Sequence, residues 1–167
     1  MEAKIETLDY LKERYAEEQE RFKHFEEKCS KFLAFLTAVV GVLSAWGAFA
    51  KDTLFSPSTQ WGWIQLALFC MASFSLVCSW GHAILAIKIG DTPVLPKQEN
   101  VAVYLRDSSK EERESYIFDC YVHTLKQLTE VIDEKSINLE HSYTELICSA
   151  WAIGFLGTIT IAIEVIK

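Results

Sequence analysis

No aspartate, glutamate, lysine or arginine occurs in Phe32–Ala50, Trp61–Ile87 or Leu146–Ile163. Charge-free stretches of that length do not suit a surface in water. The first and third approach the roughly 20 apolar residues that cross a hydrocarbon core, and the middle one exceeds it. Proline and glycine are missing from Met1 through Val40, and again from Ser109 up to Gly154. Nothing in either stretch therefore forces a helix to break. Cysteine is missing from the link Lys51–Gln60, which argues against an extracytoplasmic disulfide framework. Cys29 and Cys120 fall in the charged regions, and Cys70, Cys78 and Cys148 fall in the apolar runs, where cysteine behaves as a small hydrophobe.

Catalytic signatures are missing as well. There is no HExxH, no Cys-x-x-Cys, no phosphate-binding glycine loop and no GxSxG. His24, His82, His123 and His141 are too scattered along the chain to read as a ligand cluster, and His141, with Glu140 and Glu145 nearby, sits in no metal motif. Asp119, His123 and Glu130 read as a solvated helix face. The expectation is a protein with no metal, no cofactor and no enzymatic activity.

A basic surface is also lacking. The net charge is -7; Met1–Lys31 holds seven basic and nine acidic residues, and Lys88–Glu145 holds seven and twelve. No direct nucleic-acid binding is expected. With a highly charged stretch of about thirty residues ahead of it, the first apolar run does not read as a cleavable signal peptide. What basic charge there is sets an orientation. Arg21, Lys23, Lys28 and Lys31 precede the first run, and Lys88, Lys97, Arg106, Lys110, Arg113, Lys126 and Lys135 follow the second. The outer link has only Lys51, beside Asp52, and the tail has only Lys167. The positive-inside rule puts the N-terminus and residues 88–145 in the cytoplasm and the C-terminus outside. Trp46, Trp61 and Trp63 fit an outer aromatic belt; Trp80, about 28 Å along a helix from Trp61, fits an inner one.

These features describe an all-α integral membrane protein with three transmembrane helices, the first and third continuing as long cytoplasmic amphipathic helices. The segments expected are a cytoplasmic helix at 1–31, spans at 32–50, 61–87 and 146–165, an outer loop at 51–60, a cytoplasmic linker at 88–108 and a second cytoplasmic helix at 109–145. The first helix and span read as one element from about Glu2 to Ala50. Ser108 or Ser109 can cap the later helix, with Glu111 and Glu112 three residues on. In the linker, Pro93 and Pro96 argue against a helix over Gly90–Asp107, leaving Val101–Leu105 as a short strand, a helical turn or a patch on the inner leaflet.

Three sets of residues stand out as candidate sites. The charged helices carry apolar seams at three-, four- or seven-residue spacing. One is Leu8, Leu11, Tyr15, Phe22 and Phe25; the other is Ile117, Tyr121, Leu125, Leu128, Ile132 and Leu139. Such seams are buried against a partner, which suggests an antiparallel stalk and additional copies of the chain. Small residues at four-residue intervals, Thr37, Gly41 and Ala45 on the first span and Ala150, Gly154 and Thr158 on the third, permit close helix packing, within the chain or between subunits. Ser75, Ser79 and His82 share one face of the second span, where a polar stripe either lines a wet path or joins two helices.

The order of these parts resembles a known architecture. A charged helix leads into two close spans, Glu26–Trp46 (EEKCSKFLAFLTAVVGVLSAW) and Trp61–Ile84 (WGWIQLALFCMASFSLVCSWGHAI). A further helix, Tyr116–Leu146 (YIFDCYVHTLKQLTEVIDEKSINLEHSYTEL), then runs into a last span. The arrangement resembles the small multi-span effectors encoded beside bacterial antiviral sensors, notably SLATT-type proteins of nucleotide-signalling systems and the transmembrane effectors of retrons and CRISPR loci. The resemblance implies a bacterial inner-membrane protein that oligomerises. Triggered by a cytoplasmic protein or signalling partner, it perturbs the membrane in abortive infection. The competing expectation is a membrane adaptor whose stalk recruits a soluble partner.

Overall fold

The computed structural model describes the backbone of residues 2–87, 93–96 and 98–166. Five helices account for most of it: α1 (Glu2–Phe49), α2 (Lys51–Leu54), α3 (Gln60–Ile87), α4 (Glu99–Asp107) and α5 (Lys110–Ile166). There is no strand among the described residues. Three of the helices, α1, α3 and α5, are long and apolar enough to cross a membrane. The fold is thus all-α with three long apolar helices, consistent with a multi-span membrane protein. α1 and α5 each join a charged first half to an apolar second half without interruption. The missing prolines and glycines make that possible, because every i→i−4 bond can form.

The chain divides into two compact units, Met1–Glu27 with Ile89–Glu134, and Lys28–Lys88 with Lys135–Lys167. In the first unit, Phe22, Leu128 and Ile132 form a buried cluster with Val131 against it. One heptad earlier on each helix, the rings of Tyr15 and Tyr121 meet edge to face at 5.6 Å. Tyr15 with Tyr121 and then Phe22 with Leu128 means that both helices advance in the same direction. The pair is parallel, not antiparallel as the matched seams suggested. The reason is topological: α3 lies between α1 and α5 in the chain and runs back against them, so α1 and α5 run the same way.

The linker also departs from expectation. Glu99–Asp107 is a helix, because the prolines restrict the backbone at and just before positions 93 and 96 and leave the residues beyond Gln98 free. It attaches to α5 through the rings of Tyr104 and Tyr116, 5.1 Å apart. The two serines at its end divide the capping. Ser108 closes α4, its hydroxyl donating to the Tyr104 carbonyl at 2.6 Å. Ser109 opens α5 in a capping box: the Glu112 N–H donates to Ser109 Oγ at 3.3 Å, and the Ser109 N–H donates to the Glu112 carboxylate at 3.0 Å.

The second unit is a three-helix, up-down-up arrangement of the apolar parts of α1, α3 and α5. Its core contains Leu36, Leu43, Ala72, Leu76, Ala83 and Ala152. On α1 the buried positions Cys29, Leu36 and Leu43 recur every seven residues, the period of left-handed helix packing. The link between spans is not wholly loop: Lys51–Leu54 forms one helical turn with Leu54 buried. Thr59 then starts α3, its hydroxyl accepting from the Gly62 N–H at 3.2 Å. Gly47 lets α1 and α3 approach, since a Cβ there would sit 2.6 Å from Cζ of Phe69, a ring wedged between Trp46 and Phe55.

Candidate functional site

Several polar side chains of the apolar unit meet on the α3–α5 contact. Ser79 and Ser142 are both fully buried and make a reciprocal knot. Ser79 Oγ donates to the Ser142 carbonyl at 2.8 Å, Ser142 Oγ donates to the Ser79 carbonyl at 2.6 Å, and the two hydroxyls lie 3.1 Å apart. One heptad away, Ser149 Oγ donates to the Ala72 carbonyl at 3.0 Å. Further along, the Gln65 amide donates to Thr160 Oγ1 at 3.0 Å. As residue numbers rise on α3, their partners' numbers fall on α5, so the two helices are antiparallel. The small side chains are what allow a serine on one helix to reach the backbone of the next.

Ser75 is buried too, so the serines of the stripe Ser75, Ser79 and His82 face the inside of the unit. His82 is half-buried and its ring centre lies 5.5 Å from that of His141; its Nδ1 is enclosed and has no hydrogen-bond partner. The small-residue lines lie elsewhere. Thr37, Gly41, Ala45, Ala150, Gly154 and Thr158 are all exposed, and a Cβ added at Gly41 or Gly154 would meet nothing within 4 Å. Their hydroxyls need no neighbour: Thr37 Oγ1 donates to the Leu33 carbonyl at 2.8 Å and Thr158 Oγ1 to the Gly154 carbonyl at 2.9 Å. Thr37 Oγ1 also accepts from the Trp80 indole N–H at 3.1 Å. Beside these lines, α1 and α5 border an apolar groove of about 440 Å³ lined by Val42, Trp46, Ile153, Gly157 and Ile161 among others.

In the other unit, Leu11, Phe22, Leu128 and Ile132 are buried, and Leu8, Tyr15, Phe25, Ile117, Tyr121 and Leu125 are half-buried; Leu139, at the end of the seam, is half-buried and belongs to the second unit. A cleft of about 280 Å³ lies where Val94 and Pro96 face Tyr116, Asp119, Cys120, His123, Thr124 and Gln127. The hydrogen bond from Tyr116 to the Cys120 thiol holds the phenol above its ordinary pKa. At the start of α5 the Ser109 backbone N–H, and then its hydroxyl, hold the Glu112 carboxyl below its usual value of 4.5.

Among the described residues no three His, Cys, Asp or Glu side chains come together as a metal site would require. Ser142, Ser149 and Thr160 were missed by the sequence reading. Their signal was available in part, since Lys135, Ser142, Ser149 and Leu156 follow a strict seven-residue repeat on α5, and all four are buried. Compared with protein-family models, characterised proteins and solved structures, the chain matches none.

Proposed function

We propose that this multi-span helical protein is a non-enzymatic membrane effector whose copies assemble in the bilayer, with input from a cytoplasmic protein or signal carried along α1 and α5 to the spans. The observation that supports assembly is the outward position of Thr37, Gly41, Ala45, Ala150, Gly154 and Thr158. In lipid, helix association depends on close backbone approach, and these smooth lines face outward, with only the Thr37 hydroxyl taking a bond from Trp80. Perturbation of the membrane would then be a property of the assembly. A single chain commits Ser79, Ser142, Ser149, Gln65 and Thr160 to its own helix contacts. The setting, antiviral defence at a bacterial inner membrane with the N-terminus cytoplasmic, rests on the architectural resemblance and on the positive-inside rule.

The test is Gly41→Leu/Gly154→Leu, a change at positions with open space around them. Wild type in detergent should scatter light as an oligomer and the double variant as a monomer. In cells, a potential-sensitive dye should report depolarisation with wild type alone. Wild type of monomer mass would overturn the reading. The adaptor alternative is favoured by the same internal use of the polar span residues, which suits an inert anchor. It predicts that unrelated spans can replace these without loss of function, and that no depolarisation occurs under any trigger.

A further inference from the structure

His82 on α3 and His141 on α5 are remote in sequence, yet their rings stand 5.5 Å apart at an interplanar angle of 42°. The neighbouring Ser79–Ser142 knot fixes the backbone on both sides: His141 is adjacent to Ser142, and His82 lies one turn from Ser79. Nδ1 of His82 is enclosed and makes no hydrogen bond, so that nitrogen is not committed to another group of the chain. His141 is exposed, which leaves one side of the pair open to solvent.

The spacing has a chemical meaning. With metal–nitrogen bonds of about 2.0–2.1 Å, an ion shared by two imidazoles at a tetrahedral angle sets their ring centres roughly 5.2 Å apart. The observed separation is close to that. We propose that His82 and His141 form a two-imidazole site for a divalent cation of the zinc–copper class, bridging α3 and α5. Neutral imidazole suits these ions, whereas magnesium and calcium prefer oxygen. No third side chain joins the pair among the described residues, so water completes the coordination and the ion exchanges readily. Binding would pin the two antiparallel helices together at the level of the histidines.

The experiment uses the full chain in detergent micelles, with any purification tag removed and metal stripped by chelator. Titration calorimetry with zinc chloride should show one saturable site per chain. His141→Gln, at an exposed position, should weaken binding by at least about tenfold, and His82→Gln should do the same. His24→Gln and His123→Gln should bind as wild type. Circular dichroism of each variant separates loss of the site from loss of the fold. Two results overturn the proposal: no saturable zinc binding by wild type, or undiminished binding by folded His141→Gln.

Discussion

In the unit built on Phe22, Leu128 and Ile132, large side chains bury one another between parallel helices. Between α3 and α5 the contact is made by Ala72, Ser79, Ser142 and Ser149, with hydroxyls reaching across to carbonyls. The difference follows from the solvent each unit is suited to. Water rewards the removal of apolar area, so bulky Leu, Ile and Phe hold helices together there. Lipid tails give no such reward, and helices associate through close approach and polar links, which favours Ala and Ser. One chain uses both chemistries, and on α5 the two succeed one another along a single helix.

The comparison can be broken by exchanging the means. Leu128→Ala removes a fully buried side chain and should cost about 2–5 kcal/mol, read as faster hydrogen exchange in the charged half of α5. A cost below that range would mean that the first unit is not held by burial. Ser142→Leu forces a branched side chain into a close helix contact and should cost about 1–3 kcal/mol, measured by denaturant titration in micelles. If leucine were neutral there, small size would not be what the contact requires. Ser109→Ala removes the hydroxyl of the α5 capping box, a loss of about 1 kcal/mol, visible as fraying of the first turn by NMR. Ser79→Ala should cost least, about 0.6 kcal/mol, the average for such bonds between membrane helices.

The capping box also carries a pH signature. The bonded state depresses the Glu112 pKa below 4.5, so its stabilising contribution is present above the unfolded value and is lost as pH falls through the folded one. An NMR titration should place the Glu112 midpoint below 4.5, and Ser109→Ala should return it upward.

The all-α class and its three long apolar helices were legible because charge, proline and glycine are so sharply segregated along the chain. Phe22, Leu128 and Ile132 stand at helical spacing in the sequence and form a buried cluster in the structure. Direction was not: a seam looks the same for parallel and antiparallel partners, and only the number of chain reversals between them decides. The α4 helix was obscured by two prolines whose influence ends before Glu99. The α5 serines were not legible because a hydroxyl's partner is a backbone carbonyl that sequence does not mark. His82 and His141 meet through tertiary structure alone.

The spacing of the α3–α5 contact has a mechanical consequence. Ser149 sits on Ala72 and Ser142 on Ser79, so these two rungs lie seven residues apart on both helices. If α5 slid along α3, the serines would meet larger neighbours until a whole repeat, about 10.5 Å, had passed. The contact works as a detent with one deep notch. Movement of α5 against α3 is therefore easier as rotation or tilt than as a piston stroke.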